Sequence, residues 1–156
     1  MKKNIVSEIV LVNKAFLKNL KISIVVSKFN KEITSKLYCT TLARLKEYKF
    51  IESQIDTVWV PGAVEIPIVA QKLISVKKYD VVICLGTVIR GETSHFDYVC
   101  NQVSYGCQKV ALENNIPIIF GVLTTENEQQ AIERINKGIE LADSAIEMAN
   151  LLFNIK

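Results

Sequence analysis

The chain contains one histidine, His95, and it stands within Gly86-Thr87-Val88-Ile89-Arg90-Gly91-Glu92-Thr93-Ser94-His95-Phe96-Asp97-Tyr98-Val99. Histidine is the side-chain type that takes up and releases a proton near neutral pH, so acid–base chemistry is the first function to consider here. Before it, the apolar run Val81 to Leu85 reads as a strand buried on both faces. After it, Phe96, Val99, Val103, Cys107 and Val110 recur at the spacing of one helix face. His95 therefore falls in the first turn of a helix that follows a strand and a short loop. Thr93 or Ser94 suits the N-cap and Asp97 the acid of a capping box. Free N–H groups and the positive dipole end at such a terminus can bind a small anion. A histidine that merely decorates a helix cap fits the same pattern, and the residues alone leave both readings open.

Two more familiar motifs fail on inspection. Gly86 and Gly91, followed by Glu92-Thr93, have the spacing of a nucleotide-binding P-loop, but Glu92 stands where that motif needs lysine. A loop holding one phosphate through backbone groups and Thr93 survives this objection. Ser94, His95 and Asp97 include the residue types of a catalytic triad. Adjacent helical residues point about 100° apart, however, so Ser94 and His95 cannot pair as nucleophile and base.

The elements that position this junction follow in order. Strands are expected over 21–27, 55–60, 79–85 and 116–123, and helices over 31–48, 63–76, to about 114, 125–135 and 139–152. Asn30 suits the cap of the first helix, and Phe29 beside it lies on the ligand side of a sheet whose sites form at the carboxyl ends of strands. Glu65 falls in the first turn of the second helix, where a carboxylate either suits the dipole or accepts hydrogen bonds from a hydroxylated ligand. Thr125 to Glu128 reads as a capping box, and 136–138 as a break. Arg134 and Lys137 have the plain reading of a solvated helix end. Residues 5–12 form an isolated short strand suited to pairing with something outside the main pattern. Strand–helix alternation four times over implies an α/β, three-layer αβα, doubly wound arrangement.

At 156 residues, with 49% hydrophobic and 22% charged, the chain reads as one soluble globular domain, 1–156, with 1–20 as an N-terminal arm. A net charge of +3 with only three arginines and no basic stripe excludes nucleic acid as a natural partner. The apolar N-terminal run is interrupted by Glu8 and has no cleavage site, and no stretch is long enough to span a membrane, so a cytoplasmic location is expected. The four cysteines form no C-x-x-C pair and read as buried small hydrophobes in a reducing compartment; with one histidine they leave no metal-ligand cluster.

Several motifs in fixed order carry a resemblance. They are Ser27-Lys28-Phe29-Asn30, Trp59-Val60-Pro61-Gly62-Ala63-Val64-Glu65-Ile66-Pro67, the His95 stretch from Gly86 to Val99, Phe120-Gly121-Val122-Leu123-Thr124-Thr125-Glu126, Gln130-Ala131-Ile132-Glu133-Arg134 and Ser144 to Asn150. The chain resembles the 6,7-dimethyl-8-ribityllumazine synthase family of riboflavin biosynthesis from about residue 21 to 152. That resemblance implies a flavodoxin-like fold with four parallel strands and an N-terminal strand that joins a neighbouring subunit. It implies a transferase that condenses a ribitylamino-pyrimidinedione with 3,4-dihydroxy-2-butanone 4-phosphate, releasing phosphate and water, with no cofactor and no metal.

By position, the resemblance implies that Phe29, with Asn30, holds the pyrimidine and that Ala63, Val64 and Glu65 hold the ribityl chain. Val88 and Ile89 would present backbone groups to the ring, and Glu92 and Thr93 would bind phosphate. His95 would move protons. Phe120 and Arg134 would come from a neighbouring subunit, Arg134 pairing with phosphate alongside Lys137. A homopentamer follows, with an icosahedral shell of pentamers as the larger form. The chain departs from the family at Lys28, at Val64 and in the short link between Arg134 and Lys137. A retired lumazine- or flavin-binding or shell-forming relative and the pentameric riboflavin synthase are the alternatives. The joint presence of Phe29, Glu65, Thr93, His95 and Arg134 argues against the first, and the pattern through Val99 against the second.

Overall fold

Four apolar runs make the sheet. The computed structural model describes residues 14–155. In it β1 (Ile22–Ser27), β2 (Ile55–Val60), β3 (Val81–Ile89) and β4 (Ile118–Thr125) lie parallel in the order β2-β1-β3-β4. The helices are α1 (Lys14–Asn19), α2 (Lys31–Glu47), α3 (Ile66–Val76), α4 (His95–Asn114), α5 (Glu128–Ile132) and α6 (Lys137–Asn154). All of β1 is buried, as continuous apolar runs in a parallel sheet require when helices cover both faces.

Alternation along the strands decides which helix covers which face. Ile22, Ile24 and Val26 of β1 and Val81, Ile83 and Leu85 of β3 pack with α2 and α6, through residues such as Leu37, Leu45, Ala142 and Ile146. On the opposite face Val25, Val82 and Cys84 meet Ile66 and Ala70 of α3 and Val103 and Cys107 of α4. Each large side chain so enclosed contributes about 1.5–3 kcal/mol by leaving water. The result is the αβα, doubly wound layering expected from the alternation. Among the described residues, no helix is long and apolar enough to cross a membrane.

Several expected boundaries move, each for a physical reason. β3 continues past Leu85 to Ile89 because β4 pairs with it as far as Thr125, so Gly86 is a strand residue and not the start of a loop. An added Cβ at Gly86 would lie 2.9 Å from the Ser27 hydroxyl, which occupies that space. α6 begins at Lys137 and α5 ends at Ile132, so the break expected at 136–138 lies earlier, at 133–136. Gly138 is inside the helix and buried, because its missing Cβ lets α6 approach α2: a Cβ there would meet the Thr41 nitrogen at 2.8 Å and the Leu37 oxygen at 2.9 Å. The cap of α5 is Asn127, whose side chain accepts from the Gln130 N–H at 2.9 Å; the Thr125 hydroxyl instead donates to the Asn127 carbonyl. Cys84 and Cys107 are buried as expected, but Cys39 is exposed. The strand expected at 5–12 lies outside the described residues. Nearby, Phe16 and Leu17 of α1 pack against the core, with the Phe16 ring 5.2 Å from that of Phe153.

Candidate active site

In the order β2-β1-β3-β4 the chain leaves β1 toward β2 on one side and later returns to β3 on the other. The crevice outside the carboxyl ends of β1 and β3 is therefore the place where a doubly wound sheet receives ligands. β1 pairs with β3 only as far as Leu85, so residues 86–89 of β3 run on beyond β1 with one edge facing this crevice. Asn30 closes its base. The Asn30 side-chain amide donates to the Thr87 carbonyl at 2.8 Å, and the Thr34 hydroxyl donates to the Thr87 hydroxyl at 2.9 Å. Asn30 thus occupies the cap position of α2 without capping through its side chain. Its backbone is left-handed, with φ of 54°, a conformation that asparagine tolerates better than most residues.

These ties fix the neighbours that face a ligand. The Lys28 and Phe29 N–H groups donate to the Val60 and Pro61 carbonyls, at 2.8 and 3.2 Å, and extend the β1–β2 pairing past the strands. The Phe29 side chain is left 69% exposed, a flat apolar surface beside the crevice. In a strand the N–H and C=O of one residue share a side, and successive residues alternate. Thr87 faces Asn30, so the backbone groups of Ile89 also face the crevice. Those of Val88 and Arg90 face β4, where the Arg90 N–H donates to the Thr125 carbonyl at 2.9 Å. Of the two residues expected to offer backbone groups, Ile89 has the geometry to do so.

Past β2, Gly62 to Glu65 make a tight 3₁₀ turn into α3. One Glu65 oxygen accepts from the Gly62 N–H at 2.8 Å, which satisfies its helix-end role; among the described residues the other oxygen has no partner. Glu65 thus serves the helix end with one oxygen and keeps the other free. Ala63 is buried and Val64 half-buried beside it.

The β3–α4 loop, Arg90 to Ser94, is exposed throughout. Among the described residues the N–H groups of Gly91, Glu92 and Thr93 find no protein acceptor. Donors of this kind ahead of a helix suit an anion. The Thr93 hydroxyl accepts from the His95 N–H at 3.3 Å, while Ser94 sits at the cap position without a side-chain bond. Asp97 does not complete a capping box. Its carboxylate instead takes two hydrogen bonds from the Arg90 guanidinium, at 3.2 and 3.3 Å. His95 opens α4 with its side chain exposed, and among the described residues its ring has no hydrogen-bond partner.

Phe120, Arg134 and Lys137 belong to a different surface. They line a cleft of about 330 Å³ between the edge strand β4 and α6, together with Thr124, Glu140 and Ser144. The Arg134 guanidinium donates to the Gln130 carbonyl at 2.8 Å, which holds the side chain along the cleft. Phe120 is 41% exposed there. None of the crevice residues lines this cleft. The chain therefore carries two partial surfaces. One offers an aromatic face, donors and a histidine; the other offers an aromatic side chain and two cations.

A sequence profile described as 6,7-dimethyl-8-ribityllumazine synthase matches residues 19–153. The chain belongs to the lumazine synthase family. Among its relatives, the 6,7-dimethyl-8-ribityllumazine synthase of Coxiella burnetii strain Dugway 5J108-111 is 53% identical over 143 residues, covering 88% of this chain and 95% of that protein. The proteins of the same name from strains CbuG_Q212 and RSA 493 / Nine Mile phase I are each 54% identical over the same span. The short link before α6 thus belongs to a lumazine synthase in which Arg134 and Lys137 nonetheless share a cleft. Motif reasoning missed Thr34, Thr87 and Arg90 in this enzyme, since each acts through a partner more remote in sequence or through its backbone.

Proposed function

We propose that this enzyme condenses 5-amino-6-(D-ribitylamino)pyrimidine-2,4-dione with 3,4-dihydroxy-2-butanone 4-phosphate to give 6,7-dimethyl-8-ribityllumazine. The pyrimidine amine attacks the ketone and loses water to form an imine. Elimination then expels phosphate, and attack by the ribityl-bearing nitrogen with a second dehydration closes the ring. Phe29 and Asn30, with the backbone of Ile89, hold the pyrimidine; Ala63, Val64 and Glu65 hold the ribityl chain, with the free Glu65 oxygen accepting from a hydroxyl. The N–H groups around Glu92 and Thr93 take the phosphate. His95 moves protons at the imine and elimination steps. Much of the acceleration comes from holding two substrates together.

The observation that carries this reading is the division of complementary groups between the crevice and the β4–α6 cleft. A homo-oligomer, expected as a pentamer alone or in an icosahedral shell, brings Phe120, Arg134 and Lys137 of one copy to the crevice of the next. Arg134 and Lys137 then add positive charge to a phosphate loop whose own cation, Arg90, is already paired with Asp97 and Glu126. Mixing the protein with both substrates and recording lumazine absorbance together with phosphate release tests the reaction. Coupled appearance in equal amounts is expected. A folded oligomer that binds the pyrimidine and releases no phosphate would instead be a binding or shell protein.

A further inference from the structure

His95 has no ring partner among the described residues, so the direction of its imidazole is inherited from the first turn of α4. What holds that turn is Arg90. The Arg90 backbone N–H is tied to Thr125 of β4 at 2.9 Å. Its Nε donates to the Glu126 carboxylate at 2.7 Å, at the β4–α5 junction. Its two terminal nitrogens donate to the two oxygens of Asp97, at 3.2 and 3.3 Å, and the guanidinium carbon lies 4.4 Å from the centre of the Phe96 ring. Phe96 and Asp97 directly follow His95.

One planar group thus joins the end of β3, the first turn of α4 and the segment entering α5. Exposed ion pairs of this kind contribute little to stability, and the Arg90 side chain is 36% exposed. Their geometric effect is larger. A fork that grips a carboxylate with two parallel bonds and stacks on a ring fixes direction as well as distance, which lysine cannot do.

We infer that Arg90 is a positioning residue for the condensation: it orients the His95 imidazole by clamping Phe96 and Asp97 to Glu126. The inference rests on the reading of His95 as the proton-transfer group. It assigns Arg90 no contact with substrate. Displacement of a catalytic group by about 1 Å can cost on the order of 10²-fold in rate, so losing the clamp is expected to lower kcat while the pyrimidine KM, set by the Phe29 side of the crevice, stays nearly constant.

A double-mutant cycle over Arg90→Met and His95→Ala, with light scattering to verify assembly, tests this. Arg90→Met should lower kcat about tenfold or more with a pyrimidine KM within about twofold of wild type. In the His95→Ala background the same change should cost less than about twofold, because no imidazole remains to be oriented. Equal losses in both backgrounds, or a loss confined to KM, would overturn the inference. Arg90→Lys keeps the charge without the fork and should behave like Arg90→Met; full activity in that variant would also overturn it. Unchanged turnover in His95→Ala alone would retire the proton-transfer reading, a separate failure visible without touching Arg90.

Discussion

Asn30 is the most informative single position at the base of the crevice, because two effects meet there and can be separated. Its side chain bridges the exit of β1 to β3 through the Thr87 carbonyl, and its backbone is left-handed. Asn30→Gly removes the bridge but accepts the backbone, so it should cost about 1 kcal/mol, the net worth of one hydrogen bond. Asn30→Ala removes the bridge and keeps a Cβ in the left-handed region without the amide that helps asparagine tolerate it, which costs about 1–2 kcal/mol more than glycine. The total is then about 2–3 kcal/mol. For a chain of this length each kcal/mol lowers Tm by about 2–4 °C, so the two variants should be resolved by calorimetry. Chain concentration must be held constant, since assembly contributes to apparent stability. The same variants displace Phe29, one residue away, and should raise the KM for the pyrimidine more than that for the phosphate substrate. Equal losses for glycine and alanine would show that the positive φ is not a constraint, and no loss in either would show that the bridge is idle.

Further expectations follow from other parts of the fold. Gly138→Ala places a Cβ against the backbone of α2 and should cost about 1–3 kcal/mol in urea unfolding, whereas Gly91→Ala, with nothing within 4 Å, should stay within about 0.5 kcal/mol. Asp56 accepts from the Tyr79 hydroxyl at 2.6 Å and the Lys77 ammonium at 3.1 Å, and these hold its carboxyl below its ordinary value. The native state therefore binds fewer protons there than the unfolded chain. Its contribution is present above about pH 4 and is lost as pH falls through the lowered value. Asp56→Asn should accordingly flatten the acid limb of urea midpoint against pH, and an unchanged limb would refute the assignment. Arg134→Ala should raise KM for the phosphate substrate well beyond any change for the pyrimidine, as steady-state kinetics with each substrate varied in turn would reveal; an unaltered KM for it would sink the role of Arg134.

The sheet was largely legible in the sequence because short apolar runs between turn residues have few alternative uses. β1 and β2 appear almost as read. β3 runs further because Gly86 reads as loop punctuation, and only the packed structure reveals the Ser27 hydroxyl filling the space of its absent Cβ. The same holds for Gly138, a break by composition but a contact by packing. His95 was legible because a lone histidine at a strand–helix junction needs no partner to be noticed. Asn30, Asp97 and Thr125 each look like local caps, yet their side chains reach Thr87, Arg90 and the Asn127 carbonyl instead. Thr34 with Thr87, 53 residues apart, and Arg90 with Glu126, 36 apart, become neighbours only once the strands are ordered. Spacing rules that work within one helix carry no information about such pairs.

The central claim is that one active site is built from two copies of the chain. Co-expression of differently tagged His95→Ala and Arg134→Ala chains, with mixed oligomers isolated through both tags, tests it most directly. With random mixing in a ring, about one quarter of interfaces would join an intact His95 to an intact Arg134. The mixed oligomers should therefore recover about a quarter of wild-type lumazine formation, well above either variant alone. Activity no higher than the mean of the two variants would contradict the claim and return His95 and Arg134 to sites within a single chain.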